Sequence, residues 1–486
     1  MNVFDFFFEN TSGLEKSFLE GKESISFKDL YRSSDLLARG IREKIGERQN
    51  ILLLSQNNIF FLKSYLAILK SGNICIPLDP NIEKENFDYI SGLTNPSIVF
   101  ITPDVKKKLP LDKLNCITPE KLDIILTDNP LMEYNLEFDE ERCAEIIFTS
   151  GSTGKPKGVM ISHKNLIANT SSILEYLLLT RDDRMLVVLP FYYCYGLSLL
   201  HTHLRVGGSI VFNNSFIFIG AIIKNLLDFR CTGFAGVPSH FQILLRMSDS
   251  FKTTRFPDLR YVTQAGGKLA PVFIDEFRNS FPEIAFYVMY GQTEATARLS
   301  YLPPELYEKK KGSLGKGIPG VELRVVNEKI ENIIPGEVGE VIARGDNIMM
   351  GYFADSEGTK NTIRNGWLFT GDLGTVDDDG YIYLTARKKE IIKVGGRRIS
   401  PKEIEAVILQ IPEVVDCSIE GIEDPLLGEA MKATIILRKG TMSYIDNEVI
   451  KQYCLNHLAL FKIPHIFELR DQIVISATGK KIKEKL

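Results

Sequence analysis

In residues 145–158, EIIFTSGSTGKPKG, the hydroxyls of Thr149, Ser150, Ser152 and Thr153 and the ammonium groups of Lys155 and Lys157 stand among Gly151, Gly154 and Gly158. This composition suits the cradling of a phosphate. Glycine lets the main chain turn tightly and approach an anion, while hydroxyl and ammonium donors surround it. Residues 144–148 read as a buried strand that empties into the loop. The loop is not of the Walker A kind, because Pro156 follows Lys155 and denies a helix start its serine or threonine.

Five more stretches carry chemistry. Residues 290–296, YGQTEAT, place an aromatic ring, a hydroxyl and a carboxylate on a polar loop straight after a predicted strand at 285–289: Tyr290, Gly291, Gln292, Thr293 and Glu294. Residues 366–372, GWLFTGD, end on Asp372. Small residues close two predicted strands in FAGVP (234–238, with Ala235, Gly236 and Val237) and QAGGK (264–268, with Ala265, Gly266, Gly267 and Lys268). Glycine at a strand's end lets a backbone or a flat ligand come close, and ligands of open parallel sheets collect at that edge. Residues 189–196, LPFYYCYG, bring Tyr193, Tyr195 and Gly196 together, and aromatics need burial wherever they sit.

The elements that must position these residues alternate. Apolar residues at helical spacing predict a helix over 26–45, a strand at 50–54, a helix at 59–70, and strands at 74–78 and 97–101. Such alternation implies parallel sheet covered on both faces. Beyond a basic hairpin at 381–393, a helix from Pro401 to about Gln410, strands at 415–419 and 431–437 and a helix near 446–460 make a compact α+β unit of roughly one hundred residues. Ser162 or Asn165 is a candidate cap for a helix beginning near His163, a histidine read as a local hydrogen-bonding residue.

Taken in order, these motifs closely resemble those of the adenylate-forming superfamily: acyl- and aryl-CoA synthetases, luciferases and peptide-synthetase adenylation domains. The resemblance runs from Ser26 to Leu486 and implies an α/β fold: a large N-terminal AMP-binding domain of parallel-sheet lobes (1–388) and a small mobile α+β C-terminal domain (389–486), hinged near Lys389. It implies ATP and Mg2+, with Tyr290 against adenine, Thr293 on the α-phosphate or carboxylate and Glu294 on the metal; an aromatic suits a purine and a hard carboxylate a hard cation. Asp372 would accept the ribose hydroxyls, as a two-oxygen carboxylate suits a vicinal diol, and Arg387 would join it. Residues 264–268 would lie against the adenine, and Tyr193, Tyr195, Gly196, Ala235, Val237 and Ala265 would line the acyl pocket. Lys393, Gly395 and Gly396 would border a thiol tunnel. Thr478-Gly479-Lys480 matches the terminal motif whose lysine, here Lys480, reaches the nucleotide during adenylation; the proline usual a few residues earlier is absent, with 474–476 in its region.

The reaction so implied adenylates a carboxylic acid and passes the acyl group to a pantetheine thiol, of coenzyme A or of an acyl carrier protein. Amino-acid-activating relatives place an aspartate near the acyl motif, and none stands between Met185 and Gly196, so a buried substrate ammonium would be left unpaired at high cost. The absence of a long insertion between Gly291 and Gly371 argues against the fatty acyl-AMP ligase branch. A nucleotide-binding regulator that kept the fold without turnover, and an amino-acid adenylating enzyme, are the alternatives. A formal net charge of -4 argues against nucleic acid, and seven scattered cysteines without a CxxC pair fit a reducing cytoplasm. The lack of metal-ligand spacing among six histidines and of a GxSxG elbow argues against zinc and serine-hydrolase chemistry. Apolar runs near 189–200 and 216–227 are broken by glycine or lysine, so no membrane span is expected.

Overall fold

Strands buried on both faces carry continuous apolar runs rather than alternating ones. Ile51, Leu52, Leu53 and Leu54 are all fully buried, as are Ile98, Val99, Phe100 and Ile101 on the parallel neighbour. The structure, a computed structural model, describes residues 1–111, 114–122, 138–149 and 155–471. Among the described residues one sheet of seven strands runs in the order Gly351–Tyr352, Lys157–Ser162, Cys143–Thr149, Ile74–Leu78, Asn50–Leu54, Ile98–Ile101 and Cys116–Ile117. Its central strands are parallel, connected through helices such as Ile59–Lys70, whose first turn is capped by the Asn58 side chain accepting from the Phe61 N–H.

A second sheet, of nine described strands, has Ala285–Tyr290, Tyr261–Gln264, Gly233–Gly236, Arg184–Val187 and Ser209–Phe212 as parallel neighbours. The two sheets share one apolar core, sealed by the N-terminal helix Val3–Phe8 with Phe4, Phe7 and Phe8 buried. The Val3 N–H donates to His163 Nδ1 at 3.2 Å, so His163 bonds the N-terminal helix, 160 positions away, rather than a local partner at its own helix entrance. Ser162 caps the helix His163–Leu177, and Asn165 reciprocates, so both candidates act in one capping box.

Between these lobes and the final unit the chain changes character. Val321–Val326, Gly339–Gly345, Trp367–Val376 and Ile382–Arg387 pair antiparallel, a third sheet that the alternation of strands and helices did not announce. The final unit is α+β as expected: the hairpin Ile392–Val394 and Arg397–Ile399, the helix Pro401–Ile408, the long antiparallel pair Val414–Asp424 and Gly428–Leu437, the helix Asn447–His457 and the strand Ile466–Arg470. This unit docks on the helix Pro238–Arg246. The buried Arg246 guanidinium pairs with Glu276 at 2.6 Å and donates to the carbonyls of Leu409 and Ile411, each at 2.9 Å, and of Val414. It thereby satisfies carbonyls that a helix C-terminus otherwise leaves without partners.

Ionisable groups inside the large core make it sensitive to acid. Tyr65 donates to the buried Glu145 carboxylate at 2.8 Å, and its oxygen lies 2.8 Å from His201 Nε2. Burial lowers His163, His201 and His240 from 6.5 to about 3 and His203 to about 4. Between those values and 6.5 the unfolded chain binds the extra protons, so stability falls as pH falls. Burial raises Glu145 from 4.5 to about 7, which acts in the opposite sense over that interval but for one group against four. We predict that unfolding free energy, from urea titrations, drops by on the order of several kcal/mol between pH 7 and pH 5; a flat or rising profile would show that these histidines are protonated in the fold.

Candidate active site

Asp372 is the anchor of the site. It lies in the antiparallel strand Trp367–Val376, only 2 % exposed, with its cross-strand partner Arg387. The Tyr290 hydroxyl donates to one carboxylate oxygen at 2.6 Å and Arg387 Nε donates to the other at 2.8 Å. Burial and then the Asp372 charge hold the Tyr290 hydroxyl protonated, far above the usual phenol range. Burial works against the Arg387 charge, but Asp372 outweighs it and the net shift is upward. Three sequence-predicted residues thus meet at one carboxylate. Each carboxylate oxygen has a second lone pair, so the group keeps the capacity to accept two further donors without breaking either bond.

Tyr290 ends a strand of the nine-stranded sheet, and the chain then turns through a short 3-10 helix, Thr293–Ala295. The turn is tight enough that a Cβ on Gly291 would lie 2.1 Å from the Ala297 carbonyl oxygen, so glycine is obligatory there for close approach. Thr296 holds φ at 63°, unusual for a β-branched residue, and its hydroxyl donates to the Asn347 carbonyl at 2.7 Å. The Gln292 carbonyl closes the turn by accepting from the Ala295 N–H. Thr293 is buried with its oxygen 3.5 Å from Cys194 Sγ, and Glu294 accepts from the Tyr352 hydroxyl at 2.8 Å.

Tyr352 joins this turn to the phosphate-loop hairpin. The Lys157 ammonium stands 4.8 Å from the Tyr352 ring centre and pairs with Asp355 at 2.9 Å. Thr149 and Lys157 are cross-strand partners at the base of the loop, with Lys155 5.4 Å from the Tyr89 ring. Ser150, Gly151, Ser152, Thr153 and Gly154 lie outside the described residues. Gly158 corrects the expectation that it approaches an anion: it sits within the strand Lys157–Ser162, where a Cβ would lie 2.8 Å from Ile146 Cγ2, so sheet packing explains it.

The aromatic motif gives the start of the helix Cys194–Val206, with Tyr193 and Tyr195 rings 6.5 Å apart and Tyr195 bonded to Thr263 at 2.9 Å. Gly196 packs on the Pro190 carbonyl rather than opening a pocket. A Cβ on Gly266 would lie 2.9 Å from the Tyr193 hydroxyl and 3.0 Å from Val237 Cγ1, so Tyr193, Val237 and Gly266 line one place, with Ala235 and Ala265 buried beside them. Gly267 abuts Pro238. Lys268 donates to the Leu384 carbonyl at 2.8 Å, tying this edge to the strand before the hinge; burial, then Lys402, lowers its pKa. Lys389, Lys393, Gly395 and Gly396 are exposed, the last two at the hairpin tip, and Lys480 lies outside the described residues. Sequence reading marked Tyr352 only as the end of the stretch 345–352, and it missed Asp355 and Cys194 as partners of the site. Only Tyr352, in a short aromatic-glycine stretch, left a signal to follow.

Through Tyr290 and Tyr352, the Asp372 carboxylate, the turn carrying Thr293 and Glu294, and the Lys157 hairpin are joined into one polar edge. The chain belongs to the AMP-binding enzyme family, whose model matches residues 9–353, with the family's C-terminal domain at 403–480. It is 30% identical to an oxalate–CoA ligase of Arabidopsis thaliana, over 88% of this chain and 86% of that protein. It is 29% identical to a feruloyl-CoA synthase of an Amycolatopsis species, over 95% and 93%. Among solved structures, ATP-bound MatB from Rhodopseudomonas palustris superposes with a TM-score of 0.86 at 26% identity, covering 98% of this chain and 96% of that one. The chain is an AMP-forming acid–thiol ligase.

Asp372→Asn should lower stability by about 1–3 kcal/mol, because it strips the charge from two hydrogen bonds while keeping shape; the loss stays modest because Arg387 reaches water. An unchanged urea midpoint would show that the carboxylate's partners are dispensable.

Proposed function

We propose that this chain condenses a carboxylic acid lacking an α-amino group with ATP, and then transfers the acyl group to the thiol of coenzyme A. The observation that carries this reading is the meeting of Tyr290 and Arg387 on the Asp372 carboxylate, one strand end away from Thr293 and Glu294. A nucleoside bound through its ribose at Asp372 would present its phosphates toward that turn and the Lys157 hairpin.

A carboxylate is a poor acyl donor because its leaving group would be oxide. In the first step a carboxylate oxygen attacks the α-phosphorus, the bond to the bridging oxygen breaks, and pyrophosphate departs with the electron pair. In the second the thiolate sulfur attacks the acyl carbon, the carbon–oxygen bond breaks, and AMP leaves. The chain's contribution is positioning and charge stabilisation. Thr293 would donate to the anion, and Lys480 would add positive charge to the nucleotide in the first step. Glu294 fits Mg2+, since one of its oxygens bonds Tyr352 and a hard carboxylate oxygen remains. A magnesium at Glu294 would be carried mainly by phosphates and water. When bound, that ion neutralises phosphate charge.

Absence of an acidic side chain among Tyr193, Tyr195, Ala235, Val237 and Ala265 supports an acid without an ammonium group. Oxalate and ferulate, the acids named for two relatives, differ so much in size that similarity alone does not choose the substrate. Coenzyme A is favoured over a carrier protein as acceptor because the named relatives are CoA ligases. Arg246 holds the C-terminal unit through main-chain carbonyls, contacts that rotation about Lys389 would exchange for others.

Pyrophosphate exchange into ATP, dependent on an added acid, tests the first step; exchange with no acid would favour a regulator that binds nucleotide without turnover, and exchange only with amino acids would refute the pocket reading. Glu294→Gln should slow exchange by roughly 10²-fold or more with circular dichroism unchanged. Lys480→Ala should cripple exchange yet leave supplied acyl-AMP able to react with coenzyme A, whereas Lys389→Pro, by fixing φ at the hinge, should spare exchange and slow thiolysis. Equal damage to both half-reactions in both variants would refute a rotating C-terminal domain.

A further inference from the structure

Arg298 is the largest fully buried side chain among the described residues, at 2 % exposure. An arginine cannot shed its proton, so its charge is buried with it. No carboxylate among the described residues forms an ion pair with it. Its described hydrogen bonds are long or local: Nη1 donates to the Ala297 carbonyl next to it in sequence at 3.2 Å, and Nη2 donates to Ser198 Oγ at 3.4 Å. It also interacts with the Tyr176 hydroxyl. Nε is buried without a partner among the described residues. The Tyr195 ring lies 4.1 Å from the guanidinium carbon, which softens the cost of burial but supplies no anion.

The guanidinium is not there by loose packing. The Arg298 carbonyl accepts from Asn347 at 2.7 Å and from Asn169 at 3.3 Å, so the main chain is pinned from two elements. Its place relative to the reacting groups is also fixed. Thr293 touches Cys194 and Arg298 touches Ser198, and these two residues stand four apart on the helix Cys194–Val206. Four residues span roughly 6 Å of helix axis. A buried cation one helical turn from the hydroxyl proposed to hold the reacting carboxylate needs a second anion to complete it, because an unpaired buried charge is expensive.

Resting on the ligase reading above, we propose that the acid activated here is a short dicarboxylic acid: one carboxylate reacts beside Thr293 and the other is held by Arg298, with planar, forked donors matched to a carboxylate. Tyr195 and Ser198 complete the subsite. The second carboxylate takes no part in bond making; it orients the acid and selects it.

The test is pyrophosphate exchange by the full-length enzyme with matched pairs of acids, succinate against butyrate, glutarate against valerate and phthalate against benzoate. The wild type should favour the dicarboxylate of at least one pair by 100-fold or more in kcat/KM, mostly through KM. Arg298→Met should erase that preference and raise activity on the matching monocarboxylate, and Arg298→Lys should retain part of it. Because the wild-type comparison needs no variant, a misfolded Arg298→Met protein does not block the test. Monocarboxylates used as well as dicarboxylates in every pair, or a preference that survives in Arg298→Met, would overturn the assignment while leaving the ligase reading intact. Exchange with no acid of either kind would overturn the ligase reading and this proposal together.

Discussion

One buried carboxylate organises this molecule's proposed chemistry. Asp372 is removed from water, and an ion so placed is tolerated only with close, well-aligned donors. Tyr290 and Arg387 supply them from different parts of the chain: the first ends a strand of the nine-stranded sheet, the second ends the strand Ile382–Arg387 beside Asp372. The Tyr290 hydrogen bond therefore ties the nine-stranded sheet to the antiparallel sheet, and the ion pair joins neighbouring strands of the latter. Lys268 reinforces the same junction by donating to the Leu384 carbonyl.

A second set of contacts connects that edge to the phosphate-loop hairpin. Glu294, Tyr352, Lys157 and Asp355 form a polar rim in which each charge has a partner of opposite sign or a hydroxyl donor. These partners fix the four groups relative to one another across the two hairpins. The contrast with Arg298 is instructive. There the charge is deeper, and among the described residues no carboxylate is paired with it and Nε has no partner, which is the basis for assigning it a second anion.

Much of this was legible in the chain. The helix Phe27–Ile45 and the strands Asn50–Leu54 and Ile74–Leu78 follow hydrophobic period alone, because continuous apolar runs have no other stable place than a doubly covered sheet. The antiparallel sheet containing Asp372 was harder. Its strands carry mixed polar faces, and Trp367 lies between the guanidinium groups of Arg324 and Arg344 at 4.7 Å each rather than in a core. Tyr290, Asp372 and Arg387 were marked one by one as motif residues, but nothing in their separations of 82 and 15 positions says that they share a carboxylate. Arg298 was invisible for a simpler reason: arginine is ordinarily a surface residue, and only three-dimensional burial reveals one that is not.

The account stands or falls on Asp372 receiving the ribose. A crystal structure of the chain with AMP should show both ribose hydroxyls within hydrogen-bond distance of the Asp372 carboxylate, with Tyr290 and Arg387 still in place beside it. A nucleotide bound elsewhere, or bound here with its phosphate rather than its ribose facing Asp372, would contradict it.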